Sequence, residues 1–289
     1  MGALDPPVTA VREAVARALD EDLTPLGDVS AALLPPDATA EATVGARAAG
    51  VVAGTACFTE AMRQVDERLT VEWALVDGDR CEPGGVLGTV AGPLASMLTA
   101  ERTALNFLGH LSGIATLTAR FVEAAGGSLR VWDTRKTTPG LRSLEKAAVR
   151  AGGGANHRGN LSEWVMLKDN HLELVGMAEA VARARELFPA RTVHVECDTH
   201  DKVVEALGVG ADALLLDNMT PDEARACVVT IEETTRDGRR PVVELSGGIT
   251  LDSLSAYASV GADLVSSGAL TNSAPVLDIG LDVVATHAG

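Results

Sequence analysis

Residues 132–171 read WDTRKTTPGLRSLEKAAVRAGGGANHRGNLSEWVMLKDNH. They gather Arg135, Lys136, Arg142, His157, Arg158, Lys168 and His171 in a chain whose formal charge is −16. A guanidinium offers a planar fork to a carboxylate, and an ammonium offers a point charge. Arg135, Arg158 and Lys168 together can hold a dianionic acid, with His157 as a further donor. Singly, each would be an ordinary surface or helix-end cation. Further on, Glu196 and Asp217 follow apolar runs. Such a carboxylate pair can share a hydrated Mg²⁺, directly or through water, or bind sugar hydroxyls. Either alone could equally cap a helix. ELSGGIT and VSSGALT place Ser246-Gly247-Gly248 and Ser267-Gly268-Ala269 where backbone N–H groups can approach a phosphate.

These residues need elements that bring them together. From residue 129 strands and helices alternate. The strand candidates are LRVWDT, VMLKD, TVHVECD, ALLLDN, PVVELSGG and DLVSSGAL. Between them lie the helical stretches LRSLEKAAVRA, LVGMAEAVARARELF, THDKVVEALGVG, TPDEARACVVTIEETTRD and LDSLSAYASVG. Such βα units predict a parallel sheet with helices outside, and without an order reversal they predict an incomplete barrel. Each strand then ends in polar residues: Asp133 to Lys136, Lys168 to His171 (with Asp169 between), Glu196 to Asp198, Asp217-Asn218, Ser246 to Gly248, and Ser267 to Ala269. Wet loops explain one or two such endings. A set graded from cations through carboxylates to small residues reads as a site on one barrel rim. It would hold an acid on one side, metal and sugar in the middle, and phosphate at the far side.

The first half reads differently. A helix is expected near residues 9–21, with Val11, Ala14, Val15 and Leu19 on one face. EATVGARAAGVVAG and LTVEWALVDGDRCEPGGVLGTVAG read as strands with turns, with the helix TACFTEAMRQVDERL between them. PLASMLTAERTALNFLGHLSGIATLTARFVEAA reads as a long helix opened by Pro93, with Gly109 and Gly113 expected to bend or split it. The tail PVLDIGLDVV alternates like a strand returning to this half. The expected domains are residues 1–112, an α/β sandwich, and 113–274, the barrel, with 275–289 rejoining the first.

Aromatics make up only 3% of the chain, so the core must be aliphatic. The acidic balance excludes a nucleic-acid backbone as partner, which needs a basic footprint. Cys57, Cys81, Cys197 and Cys227 form no C-x-x-C pair and read as free thiols in a reducing cytoplasm. No signal-peptide pattern opens the sequence, and no apolar run reaches the ~18 residues of a membrane span.

ERTALNFLGHLSGIAT, the DTRKT-to-KDNH block, HVECDT, LLLDNMTPDE and ELSGGIT resemble the quinolinate phosphoribosyltransferase family, also called nicotinate-nucleotide pyrophosphorylase (carboxylating). The resemblance implies an N-terminal open α/β sandwich and a C-terminal incomplete α/β, TIM-like barrel. It implies transfer of phosphoribosyl from phosphoribosyl pyrophosphate (PRPP) to quinolinate, with Mg²⁺, giving nicotinate mononucleotide, pyrophosphate and CO₂. It places Arg102, Thr134, Arg135, His157, Arg158 and Lys168 around quinolinate. It makes Lys136, Glu196 and Asp217 the catalytic set, the two carboxylates serving ribose and metal. Asp169, His171, Ser246, Gly247, Gly248, Ser267, Gly268, Ala269 and Asn272 join Lys136 on the PRPP side. It also implies a cytoplasmic homodimer with shared sites. Asn272 departs from the pattern: GALTNS stands where GALTHS is expected, and asparagine cannot carry charge to a phosphate. Another enzyme of the same architecture, such as a nicotinate phosphoribosyltransferase or a molybdenum-associated homologue, is the nearest rival, but a monocarboxylate acceptor would not need Arg102, Arg135, Arg158 and Lys168 together. A non-catalytic nucleotide-sensing barrel would not need Lys136 or the carboxylate pair.

Overall fold

The computed structural model describes residues 5–236 and 238–287; the outermost ends of the expected 1–112 and 275–289 segments lie outside the described residues. In chain order the elements are α1 (Val8–Leu23), β1 (Thr39–Ala46), β2 (Gly50–Val51), α2 (Thr55–Val65), β3 (Thr70–Trp73), β4 (Arg80–Cys81), β5 (Val86–Pro93) and α3 (Leu94–Ala125). Then come β6 (Arg130–Trp132), α4 (Arg142–Ala151), β7 (Val165–Leu167), α5 (Asp169–Val175), α6 (Met177–Leu187), β8 (Val193–Cys197), α7 (His200–Gly208) and β9 (Ala213–Asp217). The chain closes with α8 (Pro221–Thr234), β10 (Val242–Ser246), α9 (Leu251–Tyr257), β11 (Leu264–Ser266), α10 (Ala269–Asn272) and β12 (Ile279–His287). Two compact units result. One holds the chain up to Ala119, Thr137–Gly153 and everything from Leu270; the other holds Arg120–Lys136 and Gly154–Ala269.

In the first unit a four-stranded sheet has the order β12-β1-β5-β3, antiparallel throughout. Along β1 alternate residues Ala40, Ala42, Val44 and Ala46 are buried, as a sheet with one covered face requires. The tail returns as expected, β12 pairing with β1 from Ile279 against Ala46 to His287 against Thr39. Helix α1 buries Val11, Ala14, Val15 and Leu19, the stripe its spacing predicts. Helix α2 ends earlier than expected. The Asp66 carboxylate accepts from the Arg68 N–H and guanidinium and from the Ser96 hydroxyl, fixing a turn there.

The expected break in α3 is absent: the helix runs unbroken from Leu94 to Ala125, beginning one residue after Pro93. Its glycines admit another segment instead. A Cβ on Gly113 would stand 2.0 Å from the Pro275 carbonyl oxygen, and one on Gly109 would stand 3.0 Å from that of Leu277. The Leu277 N–H donates to the Gly109 carbonyl at 3.0 Å. Close backbone approach, not flexibility, is what these glycines supply.

The second unit holds a six-stranded parallel sheet of order β6-β11-β10-β9-β8-β7. Strands β7 to β11 are sequential neighbours, and the first strand pairs with the last. That is barrel order, left open between β6 and β7. At this opening Trp132 makes a single parallel bridge with Ala155. Between the strands, Thr199 caps α7 and Thr220 caps α8, the latter with Glu223 returning to the Thr220 N–H. Val193, Val195, Leu214, Leu216, Val243, Leu245 and Val265 form the aliphatic core. Because every strand runs the same way, all C-terminal ends share one rim.

Candidate active site

That rim surrounds a cavity of about 530 Å³. Among the residues singled out in the sequence, Thr134, Arg135, Lys136, His157, Arg158, Lys168, Glu196, Asp217, Ser246, Gly247 and Gly248 line it. Met166, Leu215, Asn218, Glu244 and Ser266 line it too. The remaining candidates are not among its lining residues, though Gly268 packs against Lys136. Asp169 opens α5 and lines a separate depression with Lys202. His171 turns its Nδ1 to the Lys168 N–H at 3.1 Å, helping to cap that helix. The Ser267 hydroxyl accepts from the Ala269 N–H at 3.3 Å. Arg102 and Asn272 belong to the first unit. There Arg102 shares a small pocket with Arg47 and Asp278, and Asn272 accepts from the Ser273 hydroxyl at 2.7 Å.

Local chemistry holds each group. Asp133, wholly buried at the end of β6, accepts from the His157 N–H at 2.8 Å and the Asn156 amide at 2.6 Å. A buried carboxylate demands such donors. It thereby ties the GGGANHR loop to β6 beside the barrel opening. The Thr134 hydroxyl accepts from the Lys136 N–H at 3.0 Å. Gly268 leaves room for the Lys136 stem: a Cβ there would lie 2.7 Å from Lys136 Cδ. Lys168 donates through Nζ to Glu196 Oε2. The Asn218 amide donates to Asp217 Oδ2 at 2.6 Å, and its backbone is left-handed at φ 57°. Gly247, at φ 86°, is required beside it, since a Cβ would stand 2.6 Å from the Asn218 nitrogen.

The Arg135–Arg158 end of the cavity is cationic. Arg158 is 8% exposed and donates to the Trp164 carbonyl at 3.3 Å. Burial, and next the neighbouring Arg135 charge, hold its guanidinium below the usual range. An anion in the cavity would relieve both. Under it, Trp164 stacks on His194 with ring centres 4.9 Å apart, and His157 meets Trp164 edge-on at 4.8 Å. Burial pushes His194 down to about 4, so this ring is neutral near pH 7.

Glu244 is the site residue that motif reading passed over. It is 2% exposed, its Oε2 lies 3.3 Å from His157 Nε2, and Ser266 donates to its Oε1. The signal was present: a carboxylate between Val243 and Leu245, in the middle of a strand buried on both sides, must have a partner. Among the described residues no group of three or more His, Cys, Asp or Glu side chains could hold a metal, and no helix is long and apolar enough to cross a membrane.

A parallel, incomplete barrel with cations, carboxylates and glycine turns on one rim is the architecture of an enzyme for anionic substrates. The chain belongs to the quinolinate phosphoribosyl transferase family, whose C-terminal-domain model matches residues 114–282 and whose N-terminal-domain model matches residues 28–112. It is 38% identical over 264 residues to the probable nicotinate-nucleotide pyrophosphorylase (carboxylating) of Bacillus subtilis, covering 90% of this chain and 89% of that protein. The nicotinate-nucleotide pyrophosphorylase (carboxylating) of Mycobacterium leprae is 38% identical over 284 residues, covering 95% and 97%. The solved structure of NadC from Streptococcus pyogenes, 39% identical, matches with a TM-score of 0.90 over 97% of this chain and 99% of that one.

Proposed function

We infer that this cavity is where the chain transfers phosphoribosyl from PRPP to quinolinate, releasing pyrophosphate and CO₂ and giving nicotinate mononucleotide for NAD biosynthesis. The observation that carries the assignment is the convergence of Arg135, His157, Arg158 and Lys168 with Glu196 and Asp217 in one cavity. Arg135, Arg158 and Lys168 grip the two carboxylates of quinolinate, with Thr134 and His157 beside them. Lys136, its stem over Gly268, meets the leaving pyrophosphate. The Ser246–Gly248 turn offers backbone N–H groups to the 5′-phosphate, and Ser267 to Ala269 shape the same end.

Glu196 and Asp217 would hold a hydrated Mg²⁺ arriving with PRPP, since both line the cavity from neighbouring strands. When bound, the ion spreads the negative charge of the leaving group. The chain's own contribution is alignment: fixed cations hold the ring nitrogen toward C1 of the ribose, which becomes oxocarbenium-like as pyrophosphate departs. Decarboxylation follows: CO₂ leaves C2, the bond pair stays on C2 beside the cationic ring nitrogen that stabilises it, and a proton from solvent takes its place, so no side-chain base is needed.

Arg102, outside the barrel unit, completes the cavity of a second copy in a cytoplasmic homodimer. Four buried, free cysteines are consistent with a reducing compartment. Co-expression of Arg102→Ala with Lys136→Ala tests the sharing. Hybrid dimers carry one intact site, so about a quarter of wild-type activity returns; hybrids that form without recovering activity exclude it.

The reaction is tested by mixing the protein with quinolinate, PRPP and Mg²⁺. Nicotinate mononucleotide, pyrophosphate and CO₂ form in equal amounts, and excess EDTA stops turnover. Absence of the mononucleotide overturns the reaction; full turnover in EDTA overturns the metal.

A further inference from the structure

We propose that Glu244 is a positioning residue for the acceptor: its carboxylate fixes His157 and steadies the Arg135–Arg158 pair in the geometry that grips a dicarboxylate. The proposal rests on reading the cavity as a quinolinate site. The strand register sets the stage. Leu215 of β9 is paired with both Glu196 of β8 and Glu244 of β10, so these two carboxylates share one layer of the barrel. Asp217 is paired with Ser246 one layer nearer the rim. Glu244 therefore lies level with Glu196 and one layer beneath Asp217 and Ser246, deep in the cavity.

Its surroundings are specific. Ser266 donates to Oε1, and the Ser266 hydroxyl also reaches Ser246 at 3.3 Å. His157 Nε2 lies 3.3 Å from Oε2. The other side of His157 is anchored through its backbone to Asp133. The His157 backbone is thus tied to a strand end while its imidazole Nε2 faces a carboxylate at a strand centre, with Arg158 next in sequence. Arg158 feels Arg135 as a repelling charge and Glu244 as an attracting one. Arg158 is buried beside the Arg135 charge, and a buried cation next to another calls for a counter-charge. Glu244 supplies it from below, leaving the upper side of the cations to the substrate.

Two effects oppose each other when this charge is removed. A buried anion repels an incoming dianion, so losing it favours binding. The same loss takes a neighbour from the imidazole and removes one of the two carboxylates, Glu244 and Glu163, that attract Arg158. Placement wins in this account, because hydrogen-bonded buried charges lose more from a missing partner than from a more distant like charge.

Glu244→Gln, which keeps the shape, tests this. Quinolinate KM, and its Kd by calorimetry, rise about tenfold or more, each factor of ten being ~1.4 kcal/mol. KM for PRPP stays within about twofold, and the ¹⁵N signals of the His157 imidazole move. Ser266→Ala, which removes the other contact of the carboxylate, shifts the quinolinate constant in the same direction by less; it carries the test if Glu244→Gln does not fold. An unchanged or lowered quinolinate constant overturns the proposal, as do equal rises for both substrates. Wild-type protein inactive with quinolinate and PRPP overturns the parent reading instead.

Discussion

Each unit of the chain contains a cavity, and the two differ in how they are built. Besides the small pocket at Arg102, the first unit has a cavity of about 310 Å³ lined by Glu21, Asp22, Thr103, Asn106, His110 and Thr138 with apolar neighbours, and by no lysine or arginine. Its walls are flanks of α1 and α3 and the turn before α4. Its polar groups satisfy one another: Thr103 donates to Asp22 at 2.9 Å, and His110 Nε2 lies 2.9 Å from the buried Glu145. The cavity of the second unit is larger and is made of strand ends. Parallel strands deliver all their C-terminal residues to one rim, whereas antiparallel neighbours end at opposite edges. The first unit's sheet therefore cannot gather a graded set of charges, and the second unit's sheet does so by topology.

Substitutions should separate the two regions. The largest effect is expected at Lys136→Ala, which removes a cation aimed at developing charge: kcat falls about 10²–10³-fold with the melting temperature unchanged. A kcat within about twofold of wild type would remove Lys136 from the chemistry. Arg158→Lys replaces a fork by a point charge and costs ~1.5–3 kcal/mol in quinolinate binding, leaving PRPP binding intact. Isothermal titration of each substrate decides whether the loss is confined to the acid.

Gly113→Ala, in the first unit, should do the reverse. Its Cβ would stand 2.0 Å from a carbonyl oxygen, so backbone must shift. Stability falls by ~1–3 kcal/mol in urea titrations while both Michaelis constants hold; a change in the quinolinate constant would show that the two regions are not separable. The smallest effect is common to both units. Burial pushes the thiols of Cys57 and Cys197 up to about 12. Neither should react with a disulfide reagent at pH 8 until the chain unfolds, and the reagent should leave activity untouched. Rapid labelling of native protein would contradict their burial.

Much of this was legible in the sequence where periodicity and punctuation coincide. VHVEC and ALLLD announce strands, and the carboxylates at their C-terminal ends, Glu196 and Asp217, do line one cavity. What escaped needed three-dimensional information. KDNHLELV hides α5, because its cap is the Lys168 and His171 pair rather than a serine or threonine. Gly109 and Gly113 looked like helix breakers, since a sequence does not show the 275–277 segment that crosses them. Pairing of β6 with β11 depends on closure, not on neighbours in the chain. Glu244 was visible as an anomaly, but its meaning required knowing that His157 and Ser266 face it.

The central claim is that the cations of the barrel rim select a dicarboxylate. Its most direct test compares kcat/KM for quinolinate and nicotinate as acceptors, with PRPP and Mg²⁺ saturating and the mononucleotide product followed in both cases. The account predicts efficient turnover of quinolinate, one CO₂ released per mononucleotide formed, and negligible turnover of nicotinate. Equal or better turnover of nicotinate would contradict it.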